Sequence, residues 1–149
     1  MNNDDTGFDS ADGIGDDVAR RPDAHLLHFD TTRAVIGGFY ATHTELGYGF
    51  AEKVYRNGLV VLLRHAGLTV DREVPFEIPF HGEIIGDYRA DTIVGSHVVV
   101  EVKTGRAINP GHEAQLRNYL RVTGLRVGLL LNFGPKAEFK RIVWTPRRA

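Results

Sequence analysis

Residues 88–103 read YRADTIVGSHVVVEVK, and the fold follows from how this stretch alternates. Side chains of a strand point to opposite faces in turn, so Val98, Val100 and Val102 face one way and Val99, Glu101 and Lys103 the other. A valine run of this density predicts a strand buried on both faces, as in a sheet covered by helices. Gly95-Ser96 is a tight connection, so the strand ending near Asp91 and Ile93 folds back as a hairpin onto the valine strand. That hairpin brings Asp91 near Glu101, while Lys103 projects beside Glu101 from the strand end.

Working outward, the segment LTVDREVPFEIPF (68–80) alternates through Val70, Val74, Phe76 and Ile78, and His81-Gly82 turns it into the strand that starts at Glu83. Before it lie two helical stretches. In the first, Asp30, Thr31 or Thr32 supplies the cap, and Val35, Ile36, Phe39, Tyr40 and His43 form the stripe, with Gly47 as the stop. In the second, from about Gly49 to His65, the stripe is Ala51, Val54, Tyr55, Gly58, Leu59 and Leu62, and Gly67 ends it. After the valine strand, Asn109-Pro110 opens a helix over Glu113 to Val122, closed by Gly124. RVGLLLNF (126–133) reads as a buried strand and FKRIVW (139–144) as a last one. The predicted order is ααβββαββ, an α/β domain with a mixed sheet flanked by helices.

The 149 residues suit one domain, and a hydrophobic share of 42% is enough to bury its core. Cysteine is absent, which excludes disulfides and thiolate metal sites and fits a cytoplasmic setting. No apolar run approaches the roughly 20 residues of a membrane span. Residues 1–23 hold seven Asp against Arg20 and Arg21, a balance of −5, so the remaining 12 acids and 16 bases leave +4. The expected organisation is a disordered acidic leader (1–24), a mildly basic domain (25–145) and a short tail (146–149). Lys53, Arg56, Arg106, Arg117, Arg121 and Arg126 lie outside the expected core, where each serves either as a phosphate contact or as an ordinary solvated residue.

Two carboxylates and a lysine at neighbouring strand ends suit a hard cation and phosphodiester hydrolysis. Asp91 and one oxygen of Glu101, with the Val102 carbonyl and waters, make an octahedral magnesium site, and Lys103 orients the nucleophile or stabilises the transition state. A structural ion pair between Asp91 and Lys103 at the sheet rim satisfies the same residues, and Glu-x-Lys alone is a common spacing. Glu52 shares a helix face with Tyr55 and Leu59, so it is either hydrogen-bonded structurally or aimed at a site. Gln115 and Tyr119, four apart, share one face of the helix after the valine strand. From there Gln115 reaches a water, a phosphate or Lys103, or simply borders an amphipathic helix. The seven histidines are scattered and support no zinc site; His43 reads as a core-edge residue.

Gly49-Phe50-Ala51-Glu52-Lys53-Val54-Tyr55 resembles the G-x-x-E-x-x-Y signature of the GxxExxY proteins, small members of the PD-(D/E)xK nuclease superfamily. The similarity continues in order through Glu45-Leu46-Gly47, Tyr88 to Asp91, Val100 to Lys103, His112 to Leu116, Asn118 to Leu120 and Leu131 to Gly134, about residues 31–144. It implies a restriction-endonuclease-like core. In the places it matches, Asp91 is the first acid, Glu101 and Lys103 are the E-x-K pair, Glu52 is the helical acid and a further metal ligand, and Gln115 with Tyr119 is the Q-x-x-x-Y element. Ala90 stands where a proline often precedes the first acid. The implied activity is a magnesium-dependent nuclease, with manganese as the substitute ion, acting on DNA in preference to RNA. The alternative is a non-catalytic nuclease-fold module that binds nucleic acid or protein in a repair or defence assembly. A structural dimerisation domain is a third class, and a homo-oligomer is compatible with each.

Overall fold

The computed structural model describes residues 27–147. The expected leader lies outside the described residues, as do the last two residues of the tail. The elements run α1 (Phe29–Leu46), α2 (Glu52–His65), β1 (Val70–Phe80), β2 (Glu83–Val94), β3 (Val98–Lys103), α3 (Pro110–Thr123), β4 (Val127–Phe133) and β5 (Ala137–Val143). This is the predicted order. The five strands form one sheet in sequence order, β1-β2-β3-β4-β5. Every neighbouring pair is antiparallel except β3 and β4, which are parallel. A parallel pair needs a crossover, and α3 supplies it.

The helices cover both faces. On one, Val35 and Phe39 of α1 and Tyr55, Leu59 and Leu63 of α2 pack on Val98, Val100, Val102, Leu129, Leu131 and Phe133. On the other, Leu116 and Leu120 of α3 pack on Val99, Leu130 and Ile142. Every residue of β4 is buried, as a central strand between two helix layers requires. Its Gly128 gives α3 close access: a β-carbon there would lie 3.0 Å from the Leu116 side chain.

Three local readings are corrected. Helix α1 starts at Phe29, two residues before the first expected helical residue, and His28, in the left-handed region, precedes it without a side-chain cap. Tyr40 is 44% exposed, while Thr32 and Thr42 are buried instead. In α2 the buried stripe is Tyr55, Leu59, Val60 and Leu63, whereas Val54 is 40% exposed. The face between α1 and the sheet is centred on the four-residue ridge 55-59-63, which rotates Val54 and Leu62 away from its middle.

Only the last turn of β2 is held by β3: the register pairs Thr92 with Val100, Ile93 with Val99 and Val94 with Val98. The rest of β2 continues with β1 as a two-stranded ribbon, with Pro75 and Pro79 on the sheet's outer edge and Phe80, Ile84 and Ile85 exposed near its tip.

Candidate active site

Continuing the β2–β3 register by one residue sets Asp91 opposite Glu101, where the two strands part. Asp91 also marks a break in β2. Tyr88 and Ala90 pack in the cluster under α3, and so does Ile93, although strict alternation would turn Ile93 to the other face. The β1–β2 ladder skips this point, passing from Arg72–Thr92 to Val74–Ala90, and Glu73 across from it has φ 53. Such an interruption re-aims a side chain, and here it turns Asp91 toward α2.

On α2, Glu52 is the first helical residue and Arg56 follows one turn later. Arg56 Nη2 lies 3.1 Å from Glu52 Oε1 and 3.3 Å from Asp91 Oδ2. One guanidinium therefore bridges the helical acid and the strand acid. Among the described residues the cation within ion-pair reach of Asp91 is Arg56, so the rim pair between Asp91 and Lys103 does not form. Arg56 had been grouped with the outward-facing basic residues; it is turned inward because its carboxylate partners lie on the buried side. Arg126, in the same group, is also half-buried, its Nε donating to the Trp144 carbonyl at 2.8 Å.

Glu101 is largely buried and accepts a hydrogen bond from the Tyr88 hydroxyl at 2.6 Å on Oε1. Burial raises its pKa first, and the nearby Asp91 charge raises it further, against the lowering influence of Tyr88, Lys103 and Arg56. Burial and the facing Glu101 push the Tyr88 phenol far above its ordinary range, so it remains a donor. The Tyr88 ring stacks on Tyr119 of α3 with centroids 3.6 Å apart and planes 8° from parallel. Gln115 Nε2 in turn donates to the Tyr119 hydroxyl at 3.1 Å. Gln115 is thus joined to Glu101 through two tyrosines.

Lys103 ends β3 at the mouth of a cleft of about 540 Å³ that is also lined by Glu52, Arg106, His112 and Asn132. Asp91 and Glu101 are not part of that lining. The loop after β3 is fixed by Asn132, which is buried: its Oδ1 accepts from Gly105 N at 2.9 Å and its Nδ2 donates to Gly105 O at 2.8 Å. Gly134 permits the approach, since a β-carbon there would lie 2.5 Å from Gly105 O. His43 is anchored from α1 through Nε2, 2.8 Å from the Gly134 carbonyl oxygen, as its core-edge reading requires.

The signature residues also find physical roles. Tyr55 is fully buried and donates to the Gly47 carbonyl; its hydroxyl accepts from Phe50 N at 3.2 Å, and its ring stacks on Phe133. It holds the α1–α2 turn, where Gly47 and Gly49 take positive φ of 75° and 115°, and so sets the start of the helix that carries Glu52.

The family model of the PD-(D/E)XK nuclease superfamily matches residues 29–142. The chain belongs to this superfamily. A solved structure titled "Crystal structure of SSO0001" superposes with a TM-score of 0.50 at 24% identity, covering 80% of this chain and 60% of that one. At that identity it shows the restriction-endonuclease-like fold, with this chain spanning 60% of the other's length. No curated protein matches significantly. In this PD-(D/E)XK nuclease-like module Lys103 ends β3, Glu101 lies two residues before it, and Asp91 lies inside β2, three residues before its end. Tyr88 and Asn132, which contact the candidate site, were assigned no role by the sequence reading, and Arg56 was offered only as a phosphate contact or a solvated residue. The signals were Arg56 at four residues from Glu52, and Tyr88 as an aromatic three before an acid.

Among the described residues no helix is long and apolar enough to cross a membrane.

Proposed function

We propose that this chain is a GxxExxY-type member of the superfamily, its domain spanning about residues 25–145, which hydrolyses phosphodiester bonds of DNA with magnesium or manganese. The observation that carries this reading is the juxtaposition of Asp91 and Glu101 at the parting of β2 and β3, with Lys103 opening into the adjoining cleft. Glu52 and Gln115 complete the proposed catalytic set, and Asp91, Glu101 and Glu52 the proposed ligand set.

The donor chemistry fits a hard cation. All proposed ligands are oxygens, and their surplus negative charge already draws Arg56 in between. No group of three or more acidic, histidine or cysteine side chains converges tightly enough to enclose an ion among the described residues. A bound magnesium would therefore be held directly by one or two of the proposed carboxylates, with the Val102 carbonyl as a further oxygen and the remaining acid reached through water. When bound, a divalent cation supplies Lewis-acid stabilisation of the phosphate and a more acidic water.

The chain's own residues do the rest. Lys103 stands where its ammonium can stabilise charge developing on the phosphate or orient the attacking water. Arg56, when displaced from the carboxylates, is placed to contact the same phosphate. Arg106 and His112 on the cleft wall offer positive or hydrogen-bonding contacts to the strand, independent of base identity.

The test is cleavage of single-stranded, duplex and branched DNA across a titration of magnesium and manganese. Lys103→Ala and Glu101→Ala are expected to abolish cleavage while far-ultraviolet circular dichroism stays that of the wild type. A second reading, a non-catalytic module binding nucleic acid or protein, draws on Arg56, whose guanidinium already bridges two of the acids. It predicts no cleavage with either ion and a DNA or protein affinity indifferent to Lys103→Ala.

A further inference from the structure

Two tyrosines in this chain bury their hydroxyls in different ways. A buried phenol needs a hydrogen-bond partner, and Tyr55 takes a backbone carbonyl, that of Gly47. Tyr88, only 6% exposed, donates its hydrogen bond to a carboxylate that already lies beside a second one. If Tyr88 were only a packing residue, that arrangement would be a poor choice. It draws a charged group into the interior and adds nothing to the apolar contact with Phe76, Tyr119 and the α3 cluster. The arrangement makes sense if the carboxylate must be there for another reason and must be held in one orientation.

We infer that Tyr88 is a positioning residue for cation binding: its hydroxyl claims Oε1 of Glu101, which turns Oε2 toward the ion that Glu101 shares with Asp91. The inference rests on the metal-site reading above. Three features support it. The bond is short, 2.6 Å, as expected for a hydroxyl on an ionised acceptor. The Tyr88 ring cannot swing, because Tyr119 lies parallel at 3.6 Å and the Tyr119 hydroxyl is itself held by Gln115. The other strand acid has the same pattern, with Oδ2 of Asp91 engaged by Arg56. Each carboxylate is thus pinned through one oxygen, by a group that comes from a different element. Such outer partners orient metal ligands, and their loss commonly weakens binding by one to two orders of magnitude.

This also gives Gln115 and Tyr119 a defined part. On this inference they act through Tyr88, as the far end of a column running from the exposed face of α3 to the β3 carboxylate, and Gln115 serves the proposed catalytic set as a positioning residue.

The experiment is calorimetric titration of Mn²⁺ alone into the full-length protein, with thermal melting of the metal-free forms. Tyr88→Phe keeps the ring stack and removes only the hydroxyl. It is expected to fold and to melt a few degrees below the wild type, as the loss of one buried hydrogen bond requires, while Mn²⁺ affinity falls roughly ten- to a hundredfold. A tyrosine with a merely structural role would lower the melting temperature in the same way and leave the affinity alone. Should Tyr88→Phe fail to fold, Tyr119→Leu removes the ring that backs Tyr88 and keeps its hydroxyl. It is expected to weaken Mn²⁺ binding in the same direction, by less. Glu101→Gln separates the two levels of the argument. Wild-type affinity in Glu101→Gln, or no uptake by the wild type, overturns the metal reading together with this inference. Weakened binding in Glu101→Gln beside wild-type affinity in a folded Tyr88→Phe, or in Tyr119→Leu where it is the variant used, overturns this inference alone.

Discussion

Replacing Tyr55 by Phe isolates what the signature tyrosine contributes. The substitution deletes one hydroxyl that donates to the Gly47 carbonyl and accepts from Phe50 N at 3.2 Å. The stack on Phe133, with centroids 4.5 Å apart, survives because the ring is unchanged. A neutral hydrogen bond is worth about 1 kcal/mol net. The Phe50 bond is long and its residue exposed, so water recovers most of that donor. The Gly47 carbonyl is half-buried and recovers less. The expected loss is therefore about 1–2 kcal/mol, which lowers the melting temperature of a domain this size by roughly 3–8 °C. Urea unfolding should show an earlier midpoint with an unchanged slope, since the surface exposed on unfolding does not change. Stability equal to the wild type would refute the reasoning, because the turn would then hold itself. A loss above about 4 kcal/mol would also refute it, since only disrupted packing reaches that size.

The remaining predictions concern the charged cluster. Glu101 has its pKa raised in the folded state by burial and by Asp91, so between the ordinary glutamate value and the raised one the native form binds more protons than the unfolded form. Stability of the metal-free protein should fall as pH rises through that window and stay level above it. Glu101→Gln should remove this dependence and be the more stable protein at neutral pH, as pH-dependent urea titrations will show. Arg56→Ala leaves Glu52 and Asp91 without their shared cation; from partly exposed pairs of 3.1 and 3.3 Å the expected loss is about 1–2 kcal/mol. Added Mn²⁺ should raise the melting temperature of Arg56→Ala more than that of the wild type, since the ion no longer competes with a guanidinium.

The element order was legible because the chain changes period sharply, from helical stripes before Gly67 to strand alternation after it. The approach of Asp91 to Glu101 was legible only in outline: the connection expected at Gly95-Ser96 takes three residues, since Val94 pairs with Val98, and a two-residue turn would have set Ala90 opposite Glu101 instead. The start of α1 was not, because His28 leaves the helix without a side-chain cap and the polar residues after it merely look like caps. The buried face of α2 was misjudged because its stripe depends on where α1 lies, which no local period records. Arg56 escaped notice for the opposite reason to Glu52. An acid on an apolar face attracts attention, whereas an arginine there is easily assigned to the solvent. Tyr88 looked like an ordinary strand aromatic, since the use of its hydroxyl depends on a partner 13 residues away.

The β1–β2 ribbon is open along both of its strands, and the longer open side, along β1, would in most proteins be a template for a neighbouring molecule's backbone. Pro75 and Pro79 lie along that side, and proline carries no amide hydrogen, so the row of donors a docking strand would need has gaps four residues apart. The β1 edge is therefore guarded against self-association, whereas the open stretch of β2 before Thr92 has no such guard.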